Sequence, residues 1–130
     1  MIPPLIQRDF DRLQRAYPTA KLRAPSDASV QGVVVEIPGV ILPPGWSKPS
    51  TFIRFLVPLA YPAAPPDCFW ADLDLTLQDG RLPNAARPQA IPGQQEPLLW
   101  FSWHVQQWDA NTHTLVSFMQ VVFARLRIAT

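Results

Sequence analysis

The sequence predicts an α+β domain, with a helix at each end and an antiparallel sheet between. Three observations carry this. Apolar residues recur at three- and four-residue steps over residues 3–17 and again after residue 111, the spacing of a helical stripe. In "STFIRFLVPL", 50–59, Ile53, Phe55 and Val57 alternate with Phe52, Arg54 and Leu56, the two-residue period of a strand. Sixteen prolines in 130 residues argue against an all-helical chain, because proline inside a helix costs about 3 kcal/mol.

The first helix is "PPLIQRDFDRLQRAY", 3–17, with Pro3 and Pro4 in the turn where an amide hydrogen lacks a partner anyway. Leu5, Ile6, Phe10, Leu13 and Tyr17 form its apolar stripe, and Pro18 ends it. The opposite face carries Arg8, Arg12 and Arg15, a solvated face that is also the candidate partner-binding surface of this helix. A short strand is expected at 19–24 and a stronger one at 29–37, where Val30, Val33, Val34, Val35 and Ile37 are β-branched. "PGV" and "PPG" within 38–45 punctuate the next connection. The strand at 50–59 follows, then the proline-braced crossing "YPAAPPDCFW", 61–70, which ends in a short apolar strand through Cys68, Phe69 and Trp70.

Residues 71–97 lack a sustained period and hold four prolines after Arg81. They read as a long loop with a turn at Asp79-Gly80, and loops of that length in small domains are often functional. An aromatic segment occupies 98–108. The last helix is "NTHTLVSFMQVVFARLRI", capped by Asn111 or Thr112. Leu115, Phe118, Met119, Val122, Phe123 and Leu126 form its buried stripe, and Arg125 and Arg127 stand in the last turn, where positive charge is favoured. With no internal repeat and no linker, residues 1–130 read as one domain.

Composition narrows the function classes. Hydrophobic residues make up 48% and charged residues 16%, a folded and not a disordered balance. Net charge is +1, and no lysine/arginine cluster suggests a nucleic-acid footprint. A single cysteine forms no internal disulfide and does not suggest a zinc site. Nothing calls for a cofactor or a metal. No run approaches the roughly 20 apolar residues of a membrane span, and the absence of a signal-peptide pattern predicts a cytoplasmic protein.

The densest chemistry is "WFSWHVQQW", 100–108. On an extended segment Ser102 and His104 share one face, while Trp103 points the other way into the core. A serine hydroxyl is a poor nucleophile without a base, and histidine is the usual one. The structural alternative makes Ser102 a small strand residue and His104 a hydrogen-bonded histidine. Cys68 is the rival nucleophile, though a buried thiol behaves as a small hydrophobe with a raised pKa. Asn84 is a turn residue or an oxyanion donor. Asp109 is a carboxylate at the start of the helix, or a residue that orients His104 or approaches an incoming lysine, and His113 is expected exposed in the first helical turn. Trp70, Trp100, Trp103 and Trp108 are expected in the core. Trp46, in "PPGWSKP", is either a packed loop anchor or an exposed contact for a protein partner.

Helix, meander and then "YPAAPP" resemble the ubiquitin-conjugating superfamily, through Tyr61, Pro62, Pro65, Pro66 and the later Trp108. "PPDCFWADLDLTLQDGRLPNAA" and "FSWHVQQWDANTHTLVSFMQVVFARL" look more specifically like its prokaryotic family E branch. The resemblance covers roughly residues 30–127. It implies a four-stranded antiparallel meander, a long active-site loop, a ubiquitin-like modifier and an activating enzyme as partners, and a protein target. No cysteine stands a few residues before Trp108, and "LPN" puts Asn84 18 residues before Ser102. By the resemblance, then, the modifier is held as an oxyester on Ser102 and passed to an amine with His104 as base. An ester yields to amines less readily than a thioester, so a base matters more. The alternative is a non-catalytic module that docks the modifier or the activating enzyme, and beyond it an unrelated α+β scaffold. Antiviral defence is a common setting for bacterial systems of this kind.

Overall fold

A computed structural model describes residues 2–24 and 30–130. Helix α1 spans Pro4–Ala16 and helix α2 spans Leu115–Leu126. Between them lie β1 (Lys21–Arg23), β2 (Gly32–Ile41), β3 (Ser50–Pro58), β4 (Phe69–Ala71), β5 (Ala86–Ala90) and β6 (Pro97–Phe101). All strand pairs are antiparallel, in the order β1-β2-β3-β4-β6-β5. The sheet thus has six strands where a four-stranded meander was expected.

Strand β3 follows its sequence pattern: Thr51, Ile53, Phe55 and Val57 are buried, and Phe52, Arg54 and Leu56 are half-buried. Both helices cover the face that carries Val33, Val35, Ile53 and Phe55, and pack into it through Ile6, Phe10, Leu13, Leu115, Phe118 and Val122. The Phe55 and Phe118 rings stand 4.8 Å apart, and Phe69 stacks on Phe101 at 4.6 Å. Val34, Trp70, Ile91 and Leu98 form a smaller cluster on the other face.

Four expectations are corrected. Strand β2 runs on through Pro38 and Gly39 to Ile41, because a register shift between Ile37 and Val40 absorbs the irregularity and Gly39 takes φ 67°. The beginning expected for that strand, Ser29, lies outside the described residues. The segment 71–97 is not one loop: β5 lies inside it and forms a hairpin with β6. Its turn at Asp79-Gly80 is present, with Gly80 N–H donating to Leu77 O at 2.9 Å. Helix α2 starts later than expected, at Leu115, where Ser117 Oγ accepts the Thr114 N–H at 3.0 Å. Leu5 is 43% exposed and falls outside the α1 stripe, whose buried residues include Asp9 instead.

Asp9 ties α1 to the proline turn. Its carboxylate accepts the Tyr61 O–H at 2.6 Å and pairs with Arg8 at 3.0 Å and Arg12 at 3.4 Å. Of the three arginines offered for partner binding, Arg8 and Arg12 are therefore engaged by Asp9 on their own helix, though their side chains stay about half exposed, and Arg15 is exposed. Trp46 is buried at 6% exposure, with its indole N–H donating to Leu126 O at 2.8 Å. That corrects the exposed-contact reading, since a buried indole anchored to α2 presents no surface to a partner.

Candidate active site

The site lies where β4 and β6 end side by side. Phe69 pairs with Phe101, so the residues just outside that pair, Cys68 and Ser102, stand at neighbouring strand ends. Cys68 N–H donates to Trp103 O at 3.0 Å and closes the pair.

The extended backbone stops at Phe101. Trp103 N–H returns to Phe101 O at 2.9 Å, a three-residue turn centred on Ser102. A turn there breaks the alternation that would have aligned Ser102 with His104. Among the described residues no hydrogen bond joins their side chains. Trp103, expected in the core, is 39% exposed, and the Arg125 guanidinium lies 5.3 Å from its ring.

His104 turns instead toward β4. Its Nδ1–H donates to Asp67 Oδ1 at 2.6 Å, and Cys68 Sγ lies 3.9 Å from the same nitrogen. A carboxylate is an acceptor only, so this bond fixes a proton on Nδ1, and in the neutral ring it is Nε2 that carries the lone pair. The imidazole side chain is 56% exposed, so that lone pair belongs to a ring within reach of an incoming group. Asp67 was not singled out in the sequence. The one signal for it is a charged residue directly after Pro65-Pro66 and directly before the sole cysteine.

Cys68 takes a left-handed backbone, φ 62°, unusual for a side chain with a Cβ. It is 6% exposed, and burial pushes its thiol pKa up, with the Asp67 charge adding to the effect. At neutral pH it therefore keeps its proton. Asp67, Cys68 and His104 offer oxygen, sulfur and nitrogen within 4.8 Å of one another.

Ser102 is half-buried and opens on a cleft of about 400 Å³ lined by Ala85, Ala86, Arg87 and Trp100. Its N–H donates to Ala85 O at 2.8 Å. That bond brings the chain next to Asn84 up to Ser102, although 18 residues separate the two in sequence. The backbone of Asn84 is engaged: its N–H donates to Thr130 O, and its carbonyl accepts Arg125 Nη2 at 2.9 Å. Arg125, read from sequence as an end-of-helix charge, is instead buried at 5% exposure and holds the carbonyls of Asn84, Ile128 and Thr130.

Asp109 does not orient His104. Its Oδ1 accepts Asn111 N–H at 2.9 Å and its own N–H donates to His113 Nδ1 at 2.9 Å, which builds the turn before α2. His113 is half-buried against the Trp108 ring, 5.5 Å away, and precedes the helix. Trp108 also packs beside Tyr61 and donates its indole N–H to Pro62 O at 2.8 Å, so it fastens the segment after His104 to the proline turn.

An antiparallel sheet covered on one face by an N-terminal and a C-terminal helix, with a tyrosine-proline turn under a tryptophan beside a histidine-carboxylate pair, makes an α+β fold consistent with a protein of the ubiquitin-conjugating type. The chain belongs to the prokaryotic E2 family E, whose profile matches residues 11–129, and with that family goes a general ubiquitin-conjugation-like role. No curated protein and no solved structure gives a significant match. No helix among the described residues is long and apolar enough to cross a membrane.

Proposed function

We propose that this protein accepts the C-terminal carboxyl group of a ubiquitin-like modifier from an activating enzyme and passes it to an amine of a protein target. Ser102 is the carrier, and His104 is the base for the second step. The observation that carries the reading is the 2.6 Å bond from His104 Nδ1–H to Asp67, which holds an exposed imidazole in the tautomer that accepts at Nε2. In loading, Ser102 Oγ bonds to the acyl carbon, the thioester C–S bond of the activating enzyme breaks, and the hydroxyl proton leaves with the departing sulfur. In transfer, the amine nitrogen bonds to the same carbon, the ester C–O bond breaks, and His104 Nε2 takes the amine proton, which returns through solvent to the departing Oγ and leaves the imidazole neutral again. The accessibility of Ser102 in its cleft supports the first step, and the nearby Asn84 is the candidate donor to the oxyanion. Asp109 stays a candidate only for meeting the incoming amine.

A second reading, a thioester on Cys68, has one observation in its favour: Sγ lies 3.9 Å from His104 Nδ1. Against it stand a thiol that burial keeps protonated and a nitrogen already given to Asp67.

The test loads the protein with its activating enzyme, modifier and magnesium-ATP, with a zinc-selective chelator that leaves magnesium free. The ester reading expects an adduct stable to thiol reductant, cleaved by alkali or hydroxylamine, and absent in Ser102→Ala. His104→Ala should still load but discharge to amine at least about tenfold more slowly, within the usual worth of a general base. A reductant-sensitive adduct lost only in Cys68→Ala moves the carrier to Cys68. Tight binding without any adduct leaves a docking module.

A further inference from the structure

Cys68 is the nucleophile that the ester chemistry leaves unused, and its backbone conformation has a consequence of its own. Along a regular strand, consecutive side chains point to opposite faces, so Asp67 and Cys68 would diverge. The left-handed conformation at Cys68, φ 62°, cancels that divergence, and both side chains meet His104 Nδ1. Such a conformation costs a residue with a Cβ on the order of 1–3 kcal/mol. It is held here by the Cys68 N–H bond to Trp103 O at 3.0 Å.

We propose that Asp67, Cys68 and His104 form a binding site for one thiophilic divalent cation, with zinc as the ion that fits. The donor set of one sulfur, one imidazole nitrogen and one carboxylate oxygen suits zinc and excludes magnesium and calcium, which take oxygen alone. In a tetrahedral zinc site, sulfur and nitrogen stand about 3.5 Å apart and nitrogen and oxygen about 3.3 Å. The corresponding separations here are 3.9 Å and 2.6 Å, and all three donors lie within 4.8 Å of one another, so side-chain rotations that open the Asp67–His104 contact and draw sulfur and oxygen together bring them onto one ion. The Asp67 and His104 side chains are 64% and 56% exposed, so the two ligands that must turn are the solvent-facing ones.

The charges balance. A thiolate and a carboxylate together cancel the ion's two positive charges at a half-sheltered position. On binding, the Sγ–H bond breaks, its proton goes to solvent and sulfur bonds to the metal; a coordinated thiol is deprotonated outright, so its raised pKa does not prevent this. The imidazole gives up the Nδ1 proton and takes one on Nε2, with no net change. Three protein ligands leave the fourth position to water. A sequence with one cysteine does not suggest zinc, because the familiar zinc patterns need two or more cysteines or paired histidines at fixed spacing. Here two donors are neighbours and the third lies 36 residues on.

Occupation takes Nδ1 away from Asp67 and puts a proton on Nε2, so the metal-bound histidine is not a base. Only this consequence, a metal-blocked transfer site, rests on the role proposed for His104. Binding itself does not.

The experiment titrates the chelator-stripped protein, without modifier or activating enzyme, with cobalt(II) and then zinc. Expected are one equivalent of cobalt, a thiolate-to-cobalt charge-transfer band that zinc bleaches, and release of one proton per ion. Cys68→Ser should abolish the band, and Asp67→Asn and His104→Ala should each weaken zinc at least about tenfold. Circular dichroism checks that the variants fold. Absence of the band in the folded wild type overturns the proposal, and so does a band of unchanged affinity in His104→Ala, which reports a thiol acting alone. Because adduct formation is scored under chelation, the metal site and the conjugation reading fail separately.

Discussion

Replacing Tyr61 by phenylalanine removes one oxygen from the joint between the proline turn and α1. The phenol is 4% exposed and its O–H donates to Asp9 Oδ2 at 2.6 Å, and Asp9 itself is 1% exposed. The next donor to that oxygen is Arg8 Nη2 at 3.5 Å, while Arg8 Nε and Arg12 Nη1 serve Oδ1, so no group replaces the lost bond. A buried hydrogen bond to a charged partner is worth about 1.5–3 kcal/mol. A chain of this length unfolds with an entropy of about 0.27 kcal/mol/K, so the melting temperature should fall by about 6–11 °C. The substitution should also change the alkaline limb. Burial, then the hydrogen bond and charge of Asp9, push the Tyr61 pKa far above its usual 10.0. Above pH 10 the unfolded chain loses this proton while the folded one keeps it, so stability falls as pH rises, by about 1.4 kcal/mol per pH unit from this group. Tyr61→Phe should lose that contribution and show a shallower decline. Thermal melts at neutral pH, with urea unfolding at pH values above 10, measure both effects. A fall in melting temperature under about 2 °C, or an alkaline slope equal to that of the wild type, refutes the reasoning.

Two further predictions rest on single distances and burial. Gly32→Ala puts a Cβ 2.7 Å from Val57 O and 2.9 Å from Leu56 Cδ1. Backbone oxygen in a paired strand does not yield easily, so urea unfolding should show a loss of about 1–3 kcal/mol, and an unchanged midpoint would mean that β2 and β3 separate freely there. Cys68 should alkylate slowly with iodoacetamide at neutral pH, and its rate should keep climbing through and beyond the usual thiol range, since burial and Asp67 both favour the protonated form. A rate that levels off near neutral pH would show an activated thiolate instead.

The sequence is most legible where burial is one-sided and periodic. Strand β3 and the two helices show this, because the buried face of each imprints its spacing on the residues. Strand β5, "ARPQA", leaves no such imprint: at the sheet edge all five of its residues are exposed or half-exposed, so no alternation marks it. The same omission hid the approach of Asn84 to Ser102, which the β5–β6 hairpin produces. For the site, His104 was visible and its partner was not. A period-two reading assumes a continuous strand, and the turn centred on Ser102 ends that continuity one residue too early. The Asp67–Cys68 side of the site depends on a left-handed residue that is not glycine, and composition alone gives no warning of that. Buried Arg125 was missed for a related reason. Its partners are backbone carbonyls, which no side-chain pattern reveals.

The outer margin beside β5 carries a further meaning. Proline has no amide hydrogen to offer a neighbouring chain, and Pro88 sits in the middle of this border next to the charged Arg87. The opposite border, β1, is three residues long. Among the described residues neither rim offers a long, regular ladder on which a foreign peptide could continue the weave, which favours contact through side chains and loops over growth of the sheet.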